Sequence, residues 1–356
     1  MPLSRRHFLA GLAATPIIAA CGGDDEEAAT TTTRRRPTTT TTTTEATTTT
    51  TAPPPPVAPL LGQVWTGDPA VLARPAVVVK IDNAPQARPQ FGLNQADLVY
   101  EERVEGSVTR LATVFHSTDA DPVGPVRSFR TTDLDIVGNL NFPLFAWSGA
   151  NAAFAAMARS GPLTDVGYDV ASSAYYRERS RRAPHNLLTS TPALYALHSG
   201  VGPPPQLFTY RPDGAPPVGG RPVADVRITW GGGAGESPVN YATDPASGTW
   251  FRFQRDTPHV DSNGIQVNPA NVVIQFVTYV NSGARDVTGS PVPEAELVGS
   301  GPVWVLTGGQ LIEGTWSRPD AASITTYTDA AGAPIGLTSG RTWVELPMAG
   351  AATVLR

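Results

Sequence analysis

Apolar runs broken by turn-forming residues set the pattern of the chain from residue 61 to residue 200. One run, at residues 76–82, is β-branched and bounded by Pro75 and Asn83, which is typical of a buried strand. Similar runs predict strands at residues 97–100, 108–116 and 142–147. Helical periodicity predicts helices at residues 128–139, 151–159 and 191–198. Because strands and helices alternate, residues 61–200 are expected to form an α+β (or α/β) N-terminal domain.

Residues 201–222 interrupt this pattern. They contain three consecutive prolines, a proline pair and a glycine pair, which is the composition of a linker between domains. Beyond them the helical periodicity disappears, and short runs separated by Gly, Pro, Asp or Asn predict strands at residues 226–230, 239–242, 250–254, 271–280, 301–307, 310–317, 323–327 and 342–346. Residues 223–356 are therefore expected to form a β-rich C-terminal domain, either a sandwich or a partly closed barrel.

The first 21 residues have the features of an export signal. Arg5 and Arg6 precede an apolar stretch of about 13 residues, shorter than the roughly 20 that a membrane-spanning helix needs. The arginine pair is close to the twin-arginine export pattern, and Ile18-Ala19-Ala20-Cys21 resembles a bacterial lipobox. Residues 1–21 are therefore predicted to be a twin-arginine lipoprotein signal peptide, with lipid attached to Cys21. The alternative is a general secretory signal in which Cys21 is incidental.

Residues 22–60 lack the composition of a folded segment. Threonine fills 16 of the 22 positions from Thr30 to Thr51, and four prolines follow from Pro53 to Pro56. Low hydrophobicity and low complexity predict a disordered tether, stiffened near its end by polyproline II structure. With the lipid on Cys21 in the membrane, this tether would hold the folded residues at the extracytoplasmic face of the cell membrane.

The composition excludes several classes of function. Cys21 is the single cysteine, which leaves the folding region without a disulfide, a cysteine zinc ligand or a cysteine nucleophile. A net charge of −5 argues against a general nucleic-acid binder. The histidines lack metal-site spacing, and the sequence has no Walker loop, dinucleotide fingerprint or Gly-x-Ser-x-Gly elbow. The sequence therefore predicts no metal, no cofactor and no nucleic-acid partner.

Charge is concentrated in one region, although only 16% of all residues are charged. Arginines can hold a phosphate or carboxylate through paired N–H donors. Arg127 also precedes the predicted start of a helix, where free backbone N–H groups favour an anion. The predicted binding residues are Arg88, Arg110, Arg127, Ser128, Arg130 and Asn186.

Three further residues are candidates for acid–base catalysis: Glu101, Glu105 and His185. In a strand, Glu101 and Glu105 would share one face with Arg103, while Glu102 would take the other. A glutamate buried beside a second carboxylate acquires the raised pKa of a general acid, and a histidine among polar neighbours can assist it. The alternative is structural: these charged groups pair with one another to hold a loop, and His185 satisfies a loop carbonyl.

Short motifs recur along the chain in a recognisable order. They are Ala87-Arg88-Pro89-Gln90-Phe91-Gly92-Leu93, Ala96-Asp97-Leu98-Val99-Tyr100-Glu101, Glu105-Gly106 with Thr109-Arg110, Gly124-Pro125-Val126-Arg127-Ser128 with Arg130, Ala183-Pro184-His185-Asn186, and in the second half Asp261, Asn271-Val272-Val273, Gly314-Thr315-Trp316 and Ser339-Gly340-Arg341-Thr342-Trp343. This order, over about residues 61–347, resembles the YerB-like lipoprotein family. Members often have alanine at the position of Phe129 and glycine at that of Ser107. The resemblance implies an envelope lipoprotein with paired N- and C-terminal domains of unknown function, and no established reaction.

Three functions follow as hypotheses. The first is a membrane-anchored, extracytoplasmic lipoprotein that binds, or assists the processing of, an anionic cell-envelope component such as peptidoglycan or a phosphate-bearing wall polymer. The second is an envelope-polymer hydrolase or lyase that uses glutamate and histidine acid–base chemistry. The third is a structural partner of another envelope protein, in which the charged region serves only the fold.

Overall fold

The structure is a computed structural model that describes residues 54–150, 152–231, 237–286 and 289–356. The predicted signal peptide, Cys21 and most of the predicted tether lie outside the described residues. Ala58 and Leu60, which the sequence assigns to the tether, are each 1% exposed. The Tyr210 hydroxyl donates a hydrogen bond of 2.6 Å to the carbonyl of Leu60. The folded part therefore begins before residue 61.

Strands dominate the described residues, and the helices are short. The helices are α1 (Pro69–Ala73), α2 (Thr132–Val137), α3 (Ala152–Ser160) and α4 (Thr191–Leu197), with 3-10 turns at Pro85–Ala87, Leu93–Gln95, Glu105–Ser107 and Ser172–Ala174. The strands are β1 (Val77–Asp82), β2 (Leu98–Arg103), β3 (Thr109–Phe115), β4 (Leu144–Ala146), β5 (Thr164–Asp165), β6 (Tyr176–Arg177), β7 (Leu187–Leu188), β8 (Arg221–Pro222), β9 (Asp225–Ile228), β10 (Val239–Thr243), β11 (Trp250–Gln254), β12 (Thr257–Pro258), β13 (Asn271–Gln275), β14 (Tyr279–Arg285), β15 (Pro291–Ala295), β16 (Gly299–Thr307), β17 (Gln310–Arg318), β18 (Thr326–Asp329), β19 (Thr342–Glu345) and β20 (Ala352–Val354).

One large sheet runs through both halves of the chain. Its strand order is β18-β17-β16-β13-β19-β2-β3-β1-β4-β5, with β8 paired to β17. The last strand of the second half in this sheet, β19, lies parallel between β13 and β2. The predicted linker at residues 201–222 therefore separates two stretches of sequence whose strands share a sheet.

A second sheet, in the order β12-β11-β10-β9-β20, packs on the large one. The core between them joins side chains of β9 to β11 with side chains of β13, β16 and β17, among them Val226, Tyr241, Trp250, Ile274 and Leu306. Face-to-face packing of two sheets is a β-sandwich. The expected β-rich C-terminal part is confirmed, and it takes the sandwich form.

The central strands of the large sheet are buried on both faces. Along β1, Val78 packs into the core that contains α2 and α3, whereas Val77 and Val79 pack into the core on the opposite face. A strand covered on both sides needs apolar residues at consecutive positions, which explains the unbroken β-branched run at residues 76–82.

Of the three helices predicted in the first half, those at residues 151–159 and 191–198 are found within one residue of their predicted bounds, and the one at residues 128–139 is shorter. The helix predicted at residues 128–139 begins only at Thr132, so Ser128 does not cap it and Arg127 does not lie at its start. The α+β description holds only in part, because these helices of five to nine residues cover a sheet that reaches into the second half. Within the part of the chain that the structure describes, no helix has the length and apolar character to cross a membrane.

Candidate functional site

The charged residues collect at one edge of the large sheet. Strands β4, β1, β2, β19 and β13 all run in the same direction, because β1 and β2 each pair antiparallel to β3 and the other pairs are parallel. Their carboxyl ends therefore meet at one edge, together with the amino end of β3. Polar residues near these strand ends are Asp82, Glu101, Glu102 and Glu345, and β3 begins with Thr109 and Arg110.

On the face of the large sheet that packs against α2, a buried residue at this edge is Lys80. The Lys80 ammonium donates to Asp133 Oδ1 at 2.6 Å and also contacts Glu102 Oε1, and all three side chains are buried. Burial raises the pKa of Glu102; Lys80 opposes the rise and Asp133 adds to it. Removing one partner from such a group leaves an uncompensated buried charge, so this trio serves the fold.

On the opposite face, Glu101 is equally enclosed. Its Oε1 accepts hydrogen bonds from Asn83 Nδ2 at 2.9 Å and from the Thr109 hydroxyl at 2.5 Å, and its Oε2 contacts Arg252. Glu101 is 0% exposed, which keeps water and substrate from its carboxylate. The placement of Glu101 therefore does not favour the acid–base role that the sequence suggested for it.

Arg252 of β11 joins the two sheets through this network. Its Nε donates to the Tyr241 hydroxyl at 3.1 Å, and its guanidinium carbon lies 4.8 Å from the centre of the Trp343 ring. The same guanidinium contacts His259 Nδ1, and burial together with Arg252 lowers the pKa of His259 well below its ordinary value. The histidine is therefore neutral, and Arg252 and His259 are at most 2% exposed.

The sequence analysis missed Arg252, although the alternation of β11 contains a signal for it. Trp250, Arg252 and Gln254 point to the buried side of the strand, and Phe251 and Phe253 are only half-buried. An arginine in the same register as a buried tryptophan must find a partner in the core, since an unpaired charge there is costly.

The other charged residues at this edge form a second group, which we call the arginine cluster: Arg110, Arg127 and Arg130 with Asp82, Glu105 and His185. Only Arg127 and His185 have side chains that are more than a fifth exposed. Arg127 lies in an extended segment beside β1, because its N–H donates to the Lys80 carbonyl at 2.8 Å and its carbonyl accepts from Ser148 at 3.0 Å. Its Nε lies 3.0 Å from Asp82 Oδ2, and its side chain is 24% exposed.

His185 shares the same carboxylate as Arg127. Its Nδ1 lies 2.7 Å from Asp82 Oδ2, and its side chain is 21% exposed. With Nδ1 engaged by Asp82, Nε2 is the nitrogen left to exchange a proton, and it makes no hydrogen bond to the described residues. A carboxylate that orients a histidine in this way is an arrangement used in acid–base catalysis.

Arg130 and Arg110 complete the cluster with different degrees of pairing. Arg130 binds Glu105 in bidentate fashion at 2.7 and 2.8 Å and also donates to the Phe129 carbonyl at 2.7 Å. Arg110 donates to the Ser128 carbonyl at 3.1 Å. Burial and the neighbouring Arg130 and Arg127 lower the pKa of Arg110 to about 10, which reflects a locally positive environment.

Glu105 does not continue the strand that precedes it. Strand β2 ends at Arg103, and Glu105 lies in a 3-10 turn whose middle residue, Gly106, has φ of 70°. The expected common face for Glu101 and Glu105 is therefore wrong, because the turn breaks the strand's alternation. Glu105 is committed to Arg130, and Glu101 to Arg252.

Two predicted binding residues lie apart from the cluster. Asn186 is used within its own loop, where its side chain accepts from Arg177 at 2.8 Å and donates to the Glu178 carbonyl at 3.2 Å. Arg88 donates to Asn83 on the far side of Asp82 and lines a separate cavity. The structure thus brings Arg110, Arg127, Ser128, Arg130, Glu105 and His185 together, and leaves Glu101, Arg88 and Asn186 outside.

The described residues contain no group of three or more His, Cys, Asp or Glu side chains that could hold a metal ion. The arrangement at the cluster consists of three guanidinium groups, two carboxylates and an imidazole. These groups can bind an oxyanion, and they can move a proton beside it.

The fold and the site define a β-rich protein of two packed sheets with an arginine cluster at one sheet edge. Two family models match the chain: the N-terminal domain of the "Protein of unknown function (DUF3048)" family at residues 62–202, and the C-terminal domain of the same family at residues 226–344. The chain belongs to this family, and the resemblance found in its sequence motifs is confirmed.

Comparison with individual proteins leads to the same relatives. The chain is 35% identical over 134 residues to a protein of Bacillus subtilis (strain 168) named "Putative lipoprotein YerB"; this match covers 37% of the chain and 40% of that protein. The crystal structure of the YerB protein from Bacillus subtilis superposes with a TM-score of 0.72 at 24% identity. The superposition covers 84% of this chain and 99% of the YerB chain, so the two share a fold.

The buried carboxyl group of Glu345, which lies near Glu101, gives the stability of the protein a testable pH dependence. Burial and the nearby Glu101 raise the pKa of Glu345 well above 4.5. A carboxyl group whose pKa is higher in the folded than in the unfolded protein stabilises the fold at pH values below its pKa in the unfolded protein. This contribution is lost as the pH rises toward its pKa in the folded protein. Wild-type protein should therefore lose stability relative to Glu345→Gln above about pH 4.5, by roughly 1.4 kcal/mol per pH unit while the folded carboxyl group stays protonated.

Urea unfolding of both proteins between pH 4 and pH 9 measures this difference. Glu313→Gln is the matched control, because Glu313 has a side chain that is 57% exposed. Parallel stability curves for wild type and Glu345→Gln would show that Glu345 ionises normally in the folded protein.

Proposed function

We propose that the protein is a membrane-anchored, extracytoplasmic lipoprotein that binds an anionic cell-envelope component through the arginine cluster. Three guanidinium groups share the cluster with the carboxylates of Asp82 and Glu105, which leaves an excess of positive charge. Peptidoglycan and phosphate-bearing wall polymers present anions of the kind that such a group binds.

The observation that supports anion binding most strongly is the incomplete pairing of the Arg127 guanidinium group. Arg130 is satisfied by Glu105 and a carbonyl, whereas Arg127 has only Asp82 as a charged partner and reaches solvent. The Nη atoms of Arg127 make no hydrogen bond to the described residues. An incoming carboxylate or phosphate would accept hydrogen bonds from these Nη atoms.

Arg127→Gln is expected to weaken binding to purified wall polymer about tenfold, because a charge-assisted hydrogen bond is lost while the fold is kept. Co-sedimentation of the full chain with peptidoglycan sacculi, and separately with phosphate-bearing polymer, measures the apparent dissociation constant. Arg179→Gln, at an exposed arginine, is the control and should bind like wild type. Unchanged binding by folded Arg127→Gln protein would refute the cluster as the binding site.

Lipid attached to Cys21 is part of this proposal and would account for the proposed location. The motif Ile18-Ala19-Ala20-Cys21 and the relative with "lipoprotein" in its name both agree with a lipid anchor. In this arrangement the tether connects the anchor to the folded residues.

Cys21→Ala is expected to move the protein from the membrane fraction to the soluble extracytoplasmic fraction, because it removes the thiol to which lipid attaches. Fractionation of cells expressing each form, followed by mass spectrometry of the released N-terminus, measures the change. Wild-type protein without a lipid adduct at Cys21 would contradict the proposal.

A second function, that of an envelope-polymer hydrolase or lyase, is favoured by the Asp82–His185 pair. The histidine replaces Glu101 and Glu105 as the acid–base candidate, since its Nε2 is available beside Arg127. An arginine next to such a histidine would hold the anionic group of the substrate near the proton-transferring atom.

His185→Asn tests this second function, because asparagine keeps an N–H donor toward Asp82 but lacks Nε2. The rate of polymer cleavage by His185→Asn should be lower than that of wild type by a factor of about 100 or more. Its affinity for the polymer should stay within a factor of about two of the wild-type affinity. Mass spectrometry of products released from wall polymer provides the measurement. Absence of products from wild type would exclude hydrolysis of that polymer.

A further inference from the structure

A cavity of about 690 Å³ lies apart from the arginine cluster, where a segment of the first half faces β11 and β12 of the second. This volume is in the range of cavities that hold a small ligand. The lining residues are Ala84, Pro85, Gln86, Arg88, Pro89, Val108, Ser237, Gln254, Arg255, Thr257, Pro258, His259 and Val260.

The lining combines apolar walls with positive charge. Prolines and valines, including Pro89, Val108 and Pro258, supply much of the surface. Among the described residues that line the cavity, none carries a carboxylate, whereas Arg88 and Arg255 carry guanidinium groups. A ligand suited to this lining has an apolar body and a negatively charged group.

Arg88 is held in a fixed orientation at the cavity. Its Nη2 donates to the Asn83 carbonyl at 2.6 Å, and its Nε donates to Asn83 Oδ1 at 3.2 Å. Nη1 makes no hydrogen bond to the described residues. Burial and the nearby Arg252 lower the pKa of Arg88 to about 10, so the group stays protonated at neutral pH.

Gln254 provides an unused donor in the same lining. Its side chain lies on the buried face of β11 and is 7% exposed, and its Oε1 accepts from the Ser237 hydroxyl at 3.0 Å. Its Nε2 has no hydrogen-bond partner among the described residues. Buried donors are rarely left unpaired, and a ligand oxygen in the cavity would satisfy this one.

We propose that this cavity binds a small ligand that carries an oxyanion, a carboxylate or a phosphate, on an apolar body. The oxyanion contacts Arg88, a ligand oxygen accepts from Gln254 Nε2, and the apolar body lies against the prolines and valines. The site is independent of the proposed function, because none of the cluster arginines lines the cavity.

Isothermal titration calorimetry of the full chain tests the proposal with four probes: N-acetylphenylalanine, its neutral amide, phenyl phosphate and neutral phenol. We expect at least one anionic probe to bind at least tenfold more tightly than its neutral counterpart. The carboxylate and phosphate arms show which oxyanion the site prefers, and binding of either one supports the proposal. Equal affinity for charged and neutral probes, or no binding by any probe, overturns it.

Two variants locate the binding. Gln254→Glu keeps an acceptor for Ser237 and places a negative charge in the lining, so affinity for the anionic probe should fall at least tenfold. Ala84→Trp adds bulk at a half-buried residue that lines the cavity, leaves the core unchanged, and should abolish binding. Thermal melting checks that both variants fold. If Gln254→Glu does not fold, the result with Ala84→Trp decides the outcome.

Arg179→Gln and Arg127→Gln are the matched controls. Both should bind the probe like wild type, because neither residue lines the cavity. Full binding by folded Ala84→Trp, or loss of binding in Arg127→Gln, would place the probe elsewhere and overturn the proposal. Failure of wall-polymer binding with intact probe binding would affect the proposed function alone.

Discussion

The buried guanidinium of Arg252, held between Glu101 and Glu345, is the interaction on which the architecture depends. Glu101 and Glu345 are register partners on the adjacent parallel strands β2 and β19, one from each half of the chain. Arg252 reaches them from the second sheet. Removing a partner from a buried ion pair costs about 3–5 kcal/mol, so the second sheet is stable on this face only in the position that brings Arg252 to the glutamates.

That position also separates the arginine cluster from the cavity. Asp82 and Asn83 are consecutive, yet they serve different sites: Asp82 contacts Arg127 and His185, whereas Asn83 contacts Glu101 and Arg88. The buried network therefore lies between the arginine cluster and the cavity. Arg252 and Gln254 both belong to β11, so the position of this strand that brings Arg252 into the network also places Gln254 at the cavity.

Local sequence patterns predicted the strands well and the charged contacts poorly. The strand at residues 76–82 can be predicted from the composition of that run alone. The helix predicted from Ser128 failed because the N–H of Arg127 pairs with the Lys80 carbonyl, 47 positions away. The Arg252–Glu101 contact spans 151 positions. No periodicity within one segment contains such a contact, so the sequence identified the charged residues without their partners.

The difference between Arg130 and Arg127 distinguishes a structural arginine from one available to a ligand. Both were predicted from the sequence as anion-binding residues. Arg130 is enclosed and saturated by Glu105, whereas Arg127 is held by its backbone along β1 and keeps its guanidinium partly in solvent. A fixed backbone with an incompletely paired side chain is preorganised for binding. The structural interpretation of the charged region therefore accounts for Lys80, Glu101 and Arg130, but it leaves the pairing of Arg127 and His185 around a single carboxylate unexplained.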